Sequence, residues 1–239
     1  MSVVIGLDVG TSGARAMAFD ADGRLVARHQ VAFAHPPYVP APGLAEQDPA
    51  EWWFAGAECL TKLSSDLAGR PVAAISVDST SGTFVPVDVV GAPLHPALMY
   101  NDNRAKGLEA AVNEAAGDFC DRLGYTFPPA FALVKLAWIA KEQPELLART
   151  AKFLHPADWL VGQLTGDFNV TDTSNALKSG VDLITGHWPD FIEDKLGISL
   201  EKLPRIVRPG EQVGDVSKAA AAHTGLQQGN PVIAGASHG

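Results

Sequence analysis

Residues 2–33 read SVVIGLDVGTSGARAMAFDADGRLVARHQVAF, and the punctuation of this stretch sets the fold. Residues 2–8 are a short apolar run, closed by the small-residue turn Gly10-Thr11-Ser12-Gly13. Residues 14–20 form a second run, and Asp22-Gly23 is the hairpin signal leading to a third, residues 25–33. Three such runs joined by tight turns predict an antiparallel meander. A Pro-rich loop over 36–43 follows, and Asp48-Pro49-Ala50-Glu51 then announces a helix. Asp48 is its expected cap, Pro49 suits the first helical position, and Glu51 completes a capping-box pattern. Trp53, Ala57, Leu60, Ser64 and Leu67 recur at helical spacing and mark the expected buried face.

Further along, residues 72–77 and 84–88 read as strands, with a turn at Val90-Gly91. Helical patterns cover 104–116, 131–141, 145–149 and 157–164, and Gly166 and Gly197 stand where helices should stop. A last helix over 217–223 ends at Gly225, and 231–234 is a closing strand. The order predicts an α/β domain: a mixed sheet flanked by helices, with a mostly helical insertion at about 103–194.

Composition narrows the classes. The chain has 239 residues, 46% hydrophobic and 19% charged, enough to bury a core without covalent staples. Its net charge is −9 and its Lys and Arg are scattered, so nucleic-acid binding has no electrostatic support. Phosphate ligands stay open, because backbone N–H groups bind anions without cationic side chains. Cys59 and Cys120 cannot make a disulfide framework and are expected as buried free thiols of a reducing compartment. The opening residues lack the basic region of a signal peptide, and no apolar run approaches the roughly 20 residues of a membrane helix. The expected setting is cytoplasmic, with no membrane partner.

Four segments could carry chemistry. In Asp8-Val9-Gly10-Thr11-Ser12-Gly13-Ala14-Arg15 an acidic residue ends a strand and a hairpin follows. Its glycines let a ligand approach the backbone, successive N–H groups can form an anion nest, and Thr11 and Ser12 add hydroxyls. Asp8 could hold Mg²⁺ through water, since that ion asks for one or two carboxylates plus phosphate oxygens. An ordinary glycine hairpin reads the same way. No Gly-Lys-Ser/Thr follows, so this is not a Walker A loop. Asp78-Ser79-Thr80-Ser81-Gly82 puts small polar residues at a strand end, where α/β sheets face ligands and where turns also form. Tyr100-Asn101-Asp102-Asn103-Arg104 offers amide, carboxylate and guanidinium groups suited to a polyol, or helix capping with a solvated Arg. His155-Pro156-Ala157-Asp158 reads as a helix start, with His155 structural.

Taken together and in order, these segments resemble the FGGY carbohydrate kinases, within the wider sugar kinase, Hsp70 and actin group. Gly6-Leu7-Asp8-Val9-Gly10-Thr11-Ser12 is similar to the family's first phosphate motif, and Glu46-Gln47-Asp48-Pro49 with Trp52-Trp53 to its EQDP…WW signature. Residues 100–104 resemble its W-x-D-x-R segment, Leu164-Thr165-Gly166 its helix-ending LTG, and residues 230–235 the strand that delivers its catalytic aspartate. Within the family, residues 10–16, 97–102 and 172–178 resemble the ribulose and xylulose kinase branch. Thr80-Ser81 stands where glycerol kinases carry Arg-Glu.

The resemblance implies a ribonuclease H-like fold and ATP- and Mg²⁺-dependent phosphorylation of a ketopentose by the full-length protein. Residues 1–239 would be its amino-terminal, sugar-binding domain, with the carboxy-terminal ATP-binding domain outside this chain and no cofactor firmly bound by it. The implied roles are Asp8 for Mg²⁺ or the attacking hydroxyl and Gly10, Thr11 and Ser12 for phosphate. Thr80, Ser81, Tyr100, Asp102 and Arg104 would line the sugar pocket. The family places its general base, an Asp, where this chain has His238. Partners would be the sugar and ATP, with a homodimer left open. The alternatives are a non-catalytic sugar-binding or regulatory module, a kinase for another polyol such as glycerol, and a nucleotide switch of the actin or Hsp70 kind.

Overall fold

The computed structural model describes residues 2–238, His238 by its backbone alone. One mixed sheet organises it: β1 (Val3–Val9), β2 (Gly13–Asp20), β3 (Leu25–Ala32), β4 (Val72–Thr80), β5 (Gln212–Asp215) and β6 (Pro231–His238). Their spatial order is β5-β6-β4-β1-β2-β3. The meander β1-β2-β3 is antiparallel as expected, while β4 runs parallel to both β1 and β6. Two central strands prove longer than their apolar patterns: β4 continues past Val77 to Thr80 and β6 past Ala234 to His238, because each finds a ladder partner in the other.

Strand alternation gives the sheet two unlike faces. Val3, Ile5, Leu7 and Val9 of β1 are buried with Ile75 and Val77 of β4, whereas Val4, Gly6 and Asp8 face the other way. Helices α1 (Pro49–Leu67), α3 (Pro156–Thr165) and α4 (Lys218–Thr224) bury their apolar sides in the first face. At roughly 1.5–3 kcal/mol per fully buried aliphatic or aromatic side chain, this contact is the main force holding the domain together.

Asp48 caps α1 by accepting from the Ala50 N–H at 2.9 Å, and Pro49 opens the helix, as the sequence predicts. Two details differ. Glu51 makes no capping box; its carboxylate reaches outward to the Ala34 N–H at 2.8 Å and His35 Nδ1 at 2.6 Å, tying down the loop after β3. The buried face is Trp52, Ala55, Cys59, Leu60, Leu63 and Leu67, so Trp52 and not Trp53 points inward. The indole N–H of Trp52 donates to Gln47 Oε1 at 2.8 Å, which fixes the rotation of the helix about its axis. Cys59 and Cys120 are buried free thiols.

A second apolar core joins α2 (Ala132–Glu142) to Phe84, Leu98, Phe119, Phe127 and Ile192. Within the interval 103–194, α3 instead packs on the main sheet. The helix expected from Arg104 begins only at Glu109, because the Asp102 carboxylate takes the Arg104 N–H and side chain and holds 102–107 in turns. Among the described residues no helix is long and apolar enough to cross a membrane.

Candidate active site

The polar face of the sheet concentrates chemistry at the carboxyl ends of β1 and β4. Cross-strand register places Asp8 beside Arg15 of β2 and beside Asp78 of β4. Arg15 Nη1 lies 3.1 Å from Asp8 Oδ2, with 22% of the Asp8 side chain exposed. The Asp78 carboxylate accepts from the Ser79 N–H at 2.8 Å. On the far side of β4, Ala236 pairs with Asp78 and the backbone of His238 with Thr80. A register shift between Ile233 and Ala236 brings β6 so close that a Cβ on Gly235 would lie 1.8 Å from the Val77 carbonyl oxygen; only glycine fits. The His238 side chain lies outside the described residues.

The turn after β1 is closed by the Gly10 N–H donating to the Gly13 carbonyl at 3.0 Å. It forms one wall of a polar cleft of about 430 Å³. Gly10, Thr11 and Ser12 meet Thr80, Ser81 and Tyr100 there, six of the residues singled out from sequence. Asp8 adjoins the cleft through Arg15, which lines it together with Gln30. Sequence reading did not assign those two; the signal was their alternation on β2 and β3, in register with each other and with Asp8. Tyr100 is partly exposed, and its N–H donates to Thr83 Oγ1 at 3.1 Å.

Asp102 and Arg104 do not line the cleft. They form a buried ion cluster behind it, where Asp102 accepts from the Ala45 N–H (2.6 Å) and from Arg104 Nε (2.8 Å), and Arg104 Nη2 reaches Glu46 Oε1 at 2.6 Å. Burial alone would push the Asp102 carboxyl up, but the bonds from Arg104 and Ala45 together outweigh it and hold it below the usual carboxylate range. The same balance raises Arg104.

The Glu46-Gln47-Asp48 stretch braces the site. Glu46 anchors Arg104, Asp48 caps α1, and Gln47 Nε2 donates to the Thr11 carbonyl at 3.1 Å while its Oε1 holds Trp52. Trp52 in turn meets Trp159 edge-on at 6.0 Å between centroids. His155 is structural, as expected: its ring nitrogens bond the Thr83 carbonyl (2.8 Å) and Ser179 Oγ (2.9 Å). Burial drives its pKa down to about 4, so the ring is neutral, with Nδ1–H donating to Thr83 and Nε2 accepting from Ser179.

Among the described residues no group of three or more His, Cys, Asp or Glu side chains is placed to enclose a metal. The neighbouring carboxylates of Asp8 and Asp78 beside the cleft, with the hydroxyls that line it, fit an ion such as Mg²⁺ that keeps most of its water and takes phosphate oxygens. A larger groove of about 880 Å³ lies between α1 and α3, lined by Trp53, Phe54 and Trp159. It is mainly apolar and opens on the helical side of the sheet, away from Asp8.

Comparison with known proteins identifies the family and the fold. Residues 3–239 match the FGGY family of carbohydrate kinases, N-terminal domain. A xylulose kinase of Streptomyces rubiginosus is 31% identical over 262 residues, covering 97% of this chain and 52% of that protein. A gluconokinase of Bacillus subtilis is 26% identical, covering 100% and 46%. The crystal structure of xylulose kinase from Rhodospirillum rubrum superposes with a TM-score of 0.89 at 30% identity, covering 98% of this chain and 49% of that one. The chain thus spans about half the length of the curated relatives it matches. The fold is the ribonuclease H-like one of the sugar kinase, actin and Hsp70 group.

Proposed function

Because the chain belongs to the FGGY family of carbohydrate kinases, we propose that its full-length protein transfers the γ-phosphoryl group of ATP to a hydroxyl of a ketopentose of the D-xylulose or D-ribulose class. Residues 1–239 act as the sugar-binding domain, with the mostly helical segment at about 103–194, α3 excepted, inserted in it and a carboxy-terminal domain supplying most of the ATP site. One observation carries this reading: the Gly10 turn and the Thr80-Ser81/Tyr100 wall meet at one polar cleft beside Asp8.

Phosphoryl transfer asks a protein mainly for positioning and charge neutralisation. Thr80, Ser81 and Tyr100 offer two hydroxyls and an aromatic wall to a polyol. Gly10, Thr11 and Ser12 offer backbone N–H and hydroxyl donors to the transferring phosphate. Asp8, with Asp78 beside it, would hold Mg²⁺ through water or orient the attacking hydroxyl. Mg²⁺, when bound, supplies charge neutralisation at the phosphate oxygens. Asp102 and Arg104 shape the sugar side from behind, through the loop that carries Tyr100. Position 238 is where the proton of the reacting hydroxyl would go, with His238 in the place of the family's aspartate.

Thr80-Ser81 favours a pentulose over glycerol, whose kinases carry a larger charged pair there. The test is a steady-state screen of the full-length protein with ATP against D-xylulose, D-ribulose, gluconate and glycerol. The reading expects a pentulose to have the highest kcat/KM; preference for glycerol or gluconate would replace the substrate, and turnover of none would favour a non-catalytic sugar-binding module.

A further inference from the structure

Lys135 is the only lysine among the described residues in the fully buried class, with no exposed surface. It sits in the first turn of α2, whose Leu133, Val134 and Leu136 belong to the second apolar core, and the site as described so far makes no use of it. An ammonium in such a place costs several kcal/mol unless it is compensated, and a hydrophobic residue of similar volume commonly does as well or better for stability. Its geometry points elsewhere. Nζ donates to the Ala130 carbonyl oxygen at 3.0 Å. That same oxygen lies 2.9 Å from where a Cβ on Gly82 would stand, and Tyr100 Cβ lies 3.4 Å from that point. Gly82 holds φ at +79°, follows Ser81 and precedes Thr83, whose hydroxyl takes the Tyr100 N–H. The carbonyl gripped by Lys135 therefore abuts the backbone between the two sides of the cleft wall.

We propose that Lys135 is a positioning residue for the cleft: its buried ammonium holds the 128–131 turn by the Ala130 carbonyl against Gly82, and so fixes where Ser81 and Tyr100 stand. The titratable and charged groups facing it are Asp102 and Arg104, from the loop after Tyr100, His155 at the start of α3, and Lys178, whose Nζ also lies 4.5 Å over the Phe131 ring. Glu46 completes the group through Arg104. Asp102 favours the charged form of Lys135, while burial, Arg104 and Lys178 oppose it and bring its pKa down to about 8. The grip therefore weakens as pH rises through that value. Arginine at 135 would keep its charge throughout.

The inference rests on the sugar-site reading of the cleft, and its test separates the two. In the full-length protein, Lys135→Met should raise the pentulose KM tenfold or more with kcat changed less than threefold. Lys135→Arg should recover most of that loss, and the KM of the wild type, but not of the Arg variant, should climb above pH 8. Gly82→Ala, which pushes the same carbonyl from the opposite side, should reproduce the KM effect. Amide exchange on the 239-residue chain gives a reading independent of activity: Lys135→Met should speed exchange at Phe131 and Tyr100 while β1 and β4 keep their protection. An unchanged KM in Lys135→Met, or exchange accelerated evenly throughout the domain, would overturn the positioning role. If no sugar is turned over by the wild type, the functional reading fails and the exchange result alone decides that of Lys135.

Discussion

Asp8 is where the demands on single residues meet. It ends a strand whose other face is wholly apolar, so its carboxylate is carried to the polar side by alternation alone. There it has Arg15 at 3.1 Å and Asp78 on the neighbouring strand. A partly exposed ion pair of this kind contributes at most about 1 kcal/mol to stability, so its loss is cheap for the fold. Its loss is expensive for chemistry if the carboxylate positions Mg²⁺ or the reacting hydroxyl. Asp8→Asn in the full-length protein should therefore lower kcat by on the order of 10²–10⁴ while the thermal midpoint and far-UV dichroism barely move. Retention of most activity would return this segment to a plain hairpin. Asp8 and the Gly10–Ser12 turn were legible in the sequence because acid, strand end and glycine turn are contiguous. Arg15 and Gln30 were not assigned, since their place at the cleft depends on pairing across three strands.

At the scale of elements, the Glu46-Gln47-Asp48 stretch shows how a short segment can serve several neighbours. Gln47 is buried and bonds both Thr11 and Trp52, linking the phosphate-turn candidate to the rotation of α1. Replacing it by Leu leaves a partly buried carbonyl and the buried indole N–H of Trp52 without these partners, at about 1–3 kcal/mol. For a domain of this size that lowers the thermal midpoint by roughly 2–4 °C per kcal/mol, read by calorimetry. The junction at the start of α3 gives a pH test. His155 has a folded-state pKa of about 4 against about 6.5 unfolded, so the fold favours its neutral ring. The resulting stability is present above pH 6.5 and is lost as pH falls towards 4, where the folded form too becomes protonated. Asp158 beside it is shifted up by burial and by Asp172, which works in the opposite sense; it is common to wild type and variant, so it cancels in their difference. The stability gap between wild type and His155→Gln should narrow by on the order of 3 kcal/mol between pH 6.5 and 4, measured by denaturant unfolding. A constant gap would mean that the ring titrates normally. Local signals such as the Asp48 cap and Pro49 were readable from sequence. The choice of Trp52 over Trp53 and the outward reach of Glu51 were not, because each is decided by a partner distant in the chain. The late helix start at Glu109 was not, because local bonds between Asp102 and Arg104 compete with the helix there.

The whole molecule is a sheet with one face closed by helices and one face carrying Asp8, Asp78 and the cleft. The mixed sheet could be inferred from the meander followed by a helix and further strands. The placing of Asp102 and Arg104 behind the cleft could not, since a polar cluster in sequence does not say whether its charges face a ligand or one another. The central claim is that the cleft between the Gly10 turn and the Thr80-Ser81/Tyr100 wall is where the sugar binds. A crystal structure of the protein with D-xylulose or D-ribulose tests it most directly. The account predicts the sugar against Thr80, Ser81 and Tyr100, with one hydroxyl directed to the end of β1 at Asp8 and the end of β6 at position 238. A sugar seated elsewhere, as in the Trp53–Phe54 groove on the helical side, with this cleft holding only water, would contradict it.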